Sequence, residues 1–315
     1  MAKAKKKKKS QAPIALVYFT TLLVFMAVFG FVAYQLMKKM DFTKEKTNES
    51  SVVRTDNSFS FLFARINQLG NLADASVIKF IPEENRVIVV PLPAQTASGK
   101  SSTPFKEIYS VGGIKNLKES VEKTLNISID YYSAVSDTTF ENVYDLIGGV
   151  IFTPSEELYR LSENDDADDI SYRAGVPVEL AGRQARTLLA ANVFSNGKEG
   201  NLELLGNILR QLINNAFQQV NATKNSIDII YDKLTSNDKE TNYMAGQYRT
   251  HKQFILEMLD KNLKPVMLKI PDGTWNEDGT FTIASTFSNE LLEVYGIKKM
   301  PGTAVITADS TQESN

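Results

Sequence analysis

The sequence contains few side chains of the type and spacing that nucleophilic catalysis needs. It has no cysteine, and its single histidine is His251. A serine hydrolase triad would need His251 as the base, but this residue falls in a segment with helical periodicity, 249–258, and the chain has no G-x-S-x-G nucleophile elbow. Walker and G-x-G-x-x-G phosphate-binding loops are absent from the sequence too. The sequence thus argues against a triad hydrolase and a nucleotide-binding enzyme.

A run of acidic residues is the second candidate for chemistry, in this case the binding of calcium. Asp165, Asp166, Asp168 and Asp169 all carry carboxylate oxygens. An EF-hand loop also needs a glycine at its sixth position and a glutamate at its twelfth, and neither is in place. We therefore predict a solvated acidic loop here instead of a calcium site.

The composition is that of a folded domain with an acidic surface. Of the 315 residues, 43% are hydrophobic and 23% charged, which suffices for a sizeable core. The lack of cysteine excludes disulfides, a thiol nucleophile and thiolate metal sites. Because eight of the 35 Lys and Arg residues precede position 41 and none of the 37 Asp and Glu residues does, the remainder carries about ten net negative charges. This balance argues against nucleic acid as a partner.

An uncharged stretch of 24 residues runs from Ile14 to Met37 and is long enough to span a bilayer. Six lysines and no acidic residue precede it, so positive-inside reasoning places the N-terminus in the cytoplasm. The alternative, a cleaved signal peptide, has a shorter apolar region and a small-residue cleavage site, which is not clear here. We predict a single-pass anchor in the cell membrane, with the C-terminal domain extracytoplasmic and the lysines near anionic lipids.

The predicted organisation has five parts. A basic cytoplasmic segment, 1–13, precedes the helix at 14–37, and a polar linker follows at 38–57. One α/β domain occupies 58–308, and a polar tail occupies 309–315. The fold class is therefore a transmembrane helix followed by one domain with a central mixed sheet flanked by helices.

Within the domain, short apolar runs alternate with helical patterns. The first half predicts strands at 59–64, 76–81 and 86–92, the last two forming a hairpin. An amphipathic helix at 138–147 has an aspartate, Asp137, just ahead of it as a cap. The other predicted elements are a helix at 117–125, a strand at 127–135, a strand at 150–153, a long helix at about 200–219, strands at 226–231 and 265–270, and a hairpin around Trp275.

Several segments, in order, resemble the LytR/CpsA/Psr family of bacterial cell-envelope proteins. The segment from Leu72 to Thr96 resembles the strand pair in which the family carries R-S-D-T and then I-P-R-D-T. The other matching pieces are Tyr109 to Gly113 (family A-Y-x-x-G-G), Ile129 to Tyr132 (I-D-Y-Y), Asp145 to Val150 (D-x-x-G-G-V), Leu180 to Ala185 (L-x-G-x-Q-A) and Arg210-Gln211 (R-Q). Each piece is weak alone, but their common order is informative.

The resemblance implies transfer of a glycopolymer from a polyprenyl-pyrophosphate carrier to peptidoglycan, with arginines on the pyrophosphate and aspartates on Mg²⁺. The chain departs from that pattern at most of the charged positions. Asp74 and Arg210 persist. The changed positions are Leu72, Ala94 and Gln95 in the strand pair, Ala190, Ala191 and Asn192 in place of the R-x-R segment, and Leu204 and Asn207 in the following helix.

Five charged residues remain as candidates for an altered site. Arg65, Lys106 and Arg210 are candidates for holding a pyrophosphate, and Asp74 and Glu203 for holding Mg²⁺, a cofactor expected only if the chain is active. Surface charges or local ion pairs are the alternative for Arg65, Lys106 and Glu203. Hydrophobic strand positions can line a lipid pocket or pack in the core, and these are Phe61, Phe63, Ile78 and Phe80.

Three functions remain open at this point. The first is a non-catalytic scaffold or regulator of glycopolymer attachment that binds polyprenyl-pyrophosphate lipid, and the loss of charged residues favours it. The second is an active phosphotransferase with a rearranged site, and the third is a sensor or adaptor unrelated to glycopolymers. The expected partners are the bilayer, polyprenyl-phosphate-linked glycopolymer and cell-wall assembly proteins.

Overall fold

The structure is a computed structural model that describes residues 57–99, 102–163, 165–235, 240–261 and 263–295. None of the helices in these ranges is both long and apolar enough to cross a membrane. The predicted anchor, its basic flank and most of the linker lie outside the described residues, as does the polar tail.

A five-stranded mixed sheet forms the centre of the domain. Its strands are β1 (Phe59–Ile66), β2 (Leu72–Ile81), β3 (Arg86–Pro93), β4 (Tyr131–Ser136) and β9 (Val266–Leu268). They lie in the order β4-β1-β2-β3-β9. The three central strands are antiparallel, whereas both edge strands run parallel to their neighbours. The predicted α/β class with a central mixed sheet is confirmed.

Seven helices and three small two-stranded sheets surround the central sheet. The helices are α1 (Phe105–Leu125), α2 (Asp137–Ile147), α3 (Gly182–Ala190), α4 (Lys198–Gln218), α5 (Val220–Thr235), α6 (Ala245–Leu259) and α7 (Ser285–Tyr295) in the described ranges. The small sheets pair β5 (Val150–Phe152) with β8 (Val178–Leu180), β6 (Leu158–Arg160) with β7 (Ile170–Tyr172), and β10 (Gly273–Trp275) with β11 (Phe281–Ile283).

The two faces of the central sheet have different partners. Alternation along β1 sends Leu62 and Ala64 to one face, where they pack in a core with Leu117 of α1 and Leu291 of α7. The opposite face carries Phe61, Phe63 and Arg65 of β1 and is covered by α2, α4, α5 and α6. We call it the cavity face, because it forms one wall of the cavity described below.

Most predicted elements are present, but one strand begins later than predicted and another is a helix. The hairpin of β2 and β3 and the hairpin around Trp275 form as expected. The strand predicted at 127–135 begins only at Tyr131. The strand predicted at 226–231 is part of α5. Its apolar residues Ile227, Ile230 and Leu234 recur at helical spacing on the side that faces the cavity, and a short apolar run does not distinguish a buried helix from a strand.

Helix α2 is held by specific contacts at both ends, which matters because it carries part of the site. The Ser136 side chain caps its N-terminus by accepting from the Thr139 backbone N–H. Asp137, predicted as the cap, is instead the first helical residue and is buried. Gly148 ends the helix with a φ of 103°, which favours glycine.

The close contact between α2 and α3 depends on a glycine. A Cβ placed on Gly182 would lie 2.6 Å from the carbonyl oxygen of Glu141 and 2.7 Å from its Cα. These are backbone atoms of α2, so only movement of a whole helix would relieve the clash. This contact explains why Gly182, in the segment resembling L-x-G-x-Q-A, is not a larger residue.

We expect Gly182→Ala to destabilise the protein by about 1–3 kcal/mol, because the methyl group overpacks the contact between α2 and α3. The matched control is Gly246→Ala in α6, where an added Cβ meets no atom within 4 Å. That change should be neutral or stabilise by about 0.5 kcal/mol. Urea unfolding of both variants measures the difference, and equal effects would contradict the close contact.

Candidate functional site

An apolar cavity of about 280 Å³ lies between the cavity face of the sheet and helices α2, α4, α5 and α6. The volume is at the lower end of the range for small-molecule sites. Nine residues of the sheet form one wall, and these are Phe61, Phe63, Arg65, Asp74, Ser76, Ile78, Phe80, Ser133 and Val135. The cavity is thus built on rigid strands, with helices as its other walls.

The four hydrophobic strand positions singled out in the sequence all line this cavity. Phe61 and Phe63 come from β1, and Ile78 and Phe80 come from β2. They share one face because residues two apart in a strand point to the same side. Phe61 and Ile78 are also buried. These side chains therefore serve both functions considered from the sequence, since they pack in the domain and line a pocket.

The helical walls are also almost entirely apolar. From α2 the cavity receives Phe140, Val143 and Ile147, which recur at helical spacing. The contributions of α4 and α5 include Leu205, Leu209, Leu212, Ile227, Ile230 and Leu234. Such a surface favours a hydrocarbon chain over a polar ligand, because transfer of apolar surface out of water is the main gain on binding.

One end of the cavity contains a buried ion triad formed by Arg65, Asp74 and Asp137. The Arg65 guanidinium donates to Asp74 Oδ2 from Nε, at 2.9 Å, and from Nη2. Its Nη1 donates to Asp137 Oδ1 at 2.6 Å. Only 5% of the Arg65 side chain is exposed, against 14% for Asp74 and 8% for Asp137. The ring of Phe140 lies 5.5 Å from the guanidinium carbon and covers it further.

The triad keeps Arg65 charged although it is buried. Burial by itself would lower the pKa of Arg65, but the charges and hydrogen bonds of Asp74 and Asp137 raise it above its ordinary value. A guanidinium in this setting is bound on two sides by carboxylates of its own chain. It cannot neutralise a pyrophosphate in the way that an unpaired arginine does, because its charge is already offset.

The structure does not bring the two metal candidates, Asp74 and Glu203, together at one site. In the part of the chain that the structure describes, no group of three or more His, Asp or Glu side chains is placed to hold a metal ion. The metal candidate Asp74 accepts two hydrogen bonds from Arg65, whose positive charge opposes a nearby cation. The other candidate, Glu203, is exposed on α4 and lines neither this cavity nor the second pocket described below.

Two positions where the family pattern carries arginine now belong to the hydrophobic core. Leu72 and Ala94 are 4% and 2% exposed and pack on the sheet face opposite the cavity. Leu204, where the pattern carries aspartate, is buried against α3. These substitutions remove charge and add apolar packing at the same positions.

The three candidate cations do not meet in one pocket. Arg65 lines the cavity. Lys106 is exposed and lines a second, polar pocket of about 260 Å³ with Gln95 and Asp278. Arg210 is exposed on α4 and lines neither pocket. Gln95, which replaces the second aspartate of the pattern, is thus near Lys106 instead of the ion triad.

Aromatic side chains line the end of the cavity that lies away from Arg65. Phe61 lies four residues from Arg65 on β1, about 13 Å away at a strand rise of roughly 3.3 Å per residue. Its ring meets the ring of Tyr243 edge-on, with centroids 4.7 Å apart. Tyr231 and Tyr248 stack at 3.9 Å beside them. All four rings line the cavity, whereas Phe59, the next β1 residue on this face, does not.

His251 lies behind this aromatic wall and has a structural role. Its ring stacks on Phe59 at 3.9 Å, and a hydrogen bond of 3.2 Å joins its Nδ1 to the Tyr243 hydroxyl. It is 9% exposed, and burial lowers its pKa, an effect that the charge of Asp130 partly offsets. His251 lines neither this cavity nor the second pocket, which argues against a role as a catalytic base.

The acidic run forms a largely exposed loop, in which Asp165 and Asp168 also make ion pairs with arginines. Asp168 Oδ1 accepts from Arg183 Nε at 2.9 Å, from Arg186 Nη2 at 3.2 Å and from Thr187 Oγ1 at 2.9 Å. The hydrogen bond from Arg183 is the main cause that lowers the pKa of Asp168 to about 2. Arg183 and Arg186 are three residues apart and share one face of α3, but nothing in the sequence indicated that this face meets the acidic run.

Comparison with protein families matches residues 37–292 to the LytR_cpsA_psr family. The match spans well over half of the chain, so the protein belongs to this family. The resemblance drawn from the ordered motifs is confirmed.

Individual relatives share this fold at low identity. The chain is 24% identical over 251 residues to the polyisoprenyl-teichoic acid–peptidoglycan teichoic acid transferase TagV of Bacillus subtilis strain 168, with 73% of this chain and 63% of TagV aligned. It therefore spans less than two thirds of that relative. A crystal structure from Eubacterium siraeum DSM 15702 has a TM-score of 0.67 at 16% identity, covering 76% of this chain and 91% of the other. The structure of TagT bound to LIIa-WTA has a TM-score of 0.56 at 18% identity, covering 76% and 89%.

We expect Arg65→Met to destabilise the protein by about 3–5 kcal/mol, because it leaves two buried carboxylates without their cation. The control is Arg183→Met, which also removes an arginine bonded to two aspartates but at a site where 43% of the side chain is exposed. Its loss of stability should be much smaller, since exposed ion pairs contribute little. Urea unfolding tests this, and similar losses would contradict a buried triad.

His251 should make the stability of the protein depend on pH. Because burial lowers its pKa, the unfolded chain takes up this proton more readily than the folded one. Its contribution is complete above its ordinary pKa of about 6.5 and is lost as the pH falls below that value. The free energy of unfolding of wild type should therefore fall more steeply than that of His251→Gln between pH 7.5 and 5. Parallel profiles would refute this, and no other histidine can contribute to the difference.

Proposed function

We propose that this chain is a non-catalytic member of its family that acts as a membrane-anchored scaffold or regulator of cell-wall glycopolymer attachment. Its cavity would hold the hydrocarbon chain of a polyprenyl lipid. One observation carries the proposal, namely an apolar cavity whose only lining arginine among the described residues, Arg65, is tied to Asp74 and Asp137. The scaffold for a lipid persists while the cations for a pyrophosphate do not.

The relatives support the glycopolymer part of the proposal. TagV is named as a transferase of polyisoprenyl-linked teichoic acid to peptidoglycan. TagT, whose fold is similar, has a solved structure described as bound to LIIa-WTA. Membership of this family favours a role in attaching glycopolymers to the wall. Whether a given member catalyses this attachment must be argued from the residues of its site.

The shape of the cavity supports the lipid part. Leucine, isoleucine and phenylalanine side chains from the sheet and four helices surround it. The serine and threonine hydroxyls of its walls donate to backbone carbonyls of the protein, as Ser133 does to Leu234 at 2.7 Å and Thr223 to Ala216 at 2.6 Å. The walls thus give an isoprenoid chain apolar contact and few competing polar groups.

The charges support the non-catalytic part. Phosphoryl transfer depends on groups placed to stabilise the charge that develops on phosphate oxygens in the transition state. Arg65 is neutralised by its own carboxylates, and Leu72 and Ala94 stand where the family pattern has arginine. Loss of two arginines, with Arg65 held by its own carboxylates, would remove much of this stabilisation.

The location of the protein is part of the same proposal. The uncharged stretch from Ile14 to Met37, with lysines before it, would hold the chain in the cell membrane with its N-terminus in the cytoplasm. The domain would then lie on the outer face, where wall glycopolymers are attached. Its partners would be the bilayer, a polyprenyl-linked glycopolymer and wall-assembly proteins.

The alternative is an active phosphotransferase with a rearranged site. It needs Arg65, Lys106 and Arg210 to reach a single pyrophosphate, with Mg²⁺ as cofactor. Their positions in the cavity, in the second pocket and on the surface of α4 give this alternative less support.

We expect the full-length protein, purified in mild detergent, to retain a polyprenyl lipid that native mass spectrometry detects. An active relative prepared in the same way is the positive control. A matched negative control is the variant Leu209→Trp, which should fill part of the cavity and reduce retention. Lipid on the relative but none on this protein would rule out the lipid part of the proposal.

The same preparations test the non-catalytic part. When they are supplied with a polyprenyl-pyrophosphate glycopolymer, peptidoglycan and Mg²⁺, the relative should transfer the polymer and this protein should not. Transfer that is abolished by Lys106→Ala or Arg210→Ala would establish the alternative.

A further inference from the structure

The charge balance at the polar end of the cavity points to the headgroup that the site accepts. Asp74 and Arg65 both line the cavity, and Asp137 bonds to Arg65 from α2. Two carboxylates therefore face one guanidinium, which leaves an excess of one negative charge. We propose that the cavity takes an uncharged isoprenoid alcohol in preference to its phosphate or pyrophosphate ester. This rests on the lipid-binding part of the proposed function and narrows it.

A second observation is a carboxylate oxygen available to a ligand. Asp74 Oδ2 receives both of its hydrogen bonds from Arg65, whereas Asp74 Oδ1 accepts none from any described residue. Asp74 is partly exposed and lines the cavity. A hydroxyl at the end of a lipid can donate to this oxygen, but a fully ionised phosphate has no proton to donate.

Arg65 offers few free hydrogen-bond donors to an anionic headgroup. Three of its five N–H groups are bonded to Asp74 and Asp137, so a phosphate near the remaining two would also lie near both carboxylates. A phosphate monoester carries about −1.5 to −2 charges at pH 7. Like charges repel strongly where water is excluded, and a buried site of this kind discriminates by repulsion as much as by attraction.

Other described cations near the triad do not change this balance. Arg186 approaches α2, but its guanidinium is bonded to Glu141 and Asp168. Lys106 lies in the second pocket with Glu107 and Asp278. Among the described residues, Arg65 and Asp74 are the only charged side chains that line the cavity itself.

The test uses three probes that differ only in their headgroup, namely tritiated farnesol, farnesyl phosphate and farnesyl pyrophosphate. Binding to the full-length protein in phosphatidylcholine discs is measured by equilibrium dialysis, and discs without protein correct for partition into the bilayer. Each probe is measured with EDTA and again with Mg²⁺. We expect farnesol to bind at least about tenfold more tightly than either ester under both conditions.

Variants that remove one negative charge test whether the triad causes the preference for farnesol. Asp74→Asn keeps the shape of the side chain and removes the excess charge, so the ratio of farnesyl phosphate affinity to farnesol affinity should rise about tenfold. Asp137→Asn should shift the ratio in the same direction and serves if the first variant folds poorly. The control Glu141→Gln removes one negative charge from the next turn of α2, outside the cavity lining, and should leave the ratio near that of wild type.

The possible outcomes distinguish the headgroup preference from the lipid binding on which it rests. Tighter binding of either ester than of farnesol, with or without Mg²⁺, overturns the headgroup preference and leaves lipid binding intact. A preference for farnesol that Asp74→Asn and Asp137→Asn do not reduce also overturns it, because the triad would not be its cause. Absence of binding by all three probes above the empty discs overturns both.

Discussion

The buried ion triad is the interaction on which the arrangement of the site depends. An arginine that is only 5% exposed must have carboxylate partners, because an unpaired buried charge costs several kcal/mol. Its two partners lie on different elements, Asp74 on the neighbouring strand β2 and Asp137 at the start of α2. By binding both, Arg65 fixes the N-terminus of α2 over the end of β1. The helix is then placed so that its apolar residues face the sheet across the cavity.

The cavity follows from this placement and from the aromatic residues at its other end. Between the triad and the Tyr231, Tyr243 and Tyr248 rings, side chains of the sheet and of four helices line the cavity without filling the space between them. Close-packed interiors usually leave no space of this size. A cavity of about 280 Å³ with apolar walls is the space that the proposed lipid would occupy.

The segments that build the family scaffold are retained in this chain, whereas most charged positions of the family pattern are changed. The strand pair, the Gly-Gly turn after α2 and the contact at Gly182 are all retained, since each is needed for the elements to pack. The charged positions are not needed for packing, and at Leu72, Ala94 and Leu204 an apolar side chain now adds to the core. An arginine in these buried environments would need a new carboxylate beside it. A change of charge at the site is therefore compatible with an unchanged fold.

Sequence alone determined the three central strands of the sheet, the two hairpins, the family and the four hydrophobic strand positions that face the cavity, because each of these depends on local periodicity or on motifs read in order. The tertiary structure decided which charges meet. Arg65 and Asp137 are 72 residues apart, and no local pattern indicates that the aspartate expected to cap α2 pairs with that arginine. The same reason explains the missed partners Arg183 and Arg186 of the acidic run. Whether 226–231 was strand or helix was likewise decided by the cavity that its apolar face covers, since packing overrides the weak preference of a short apolar run.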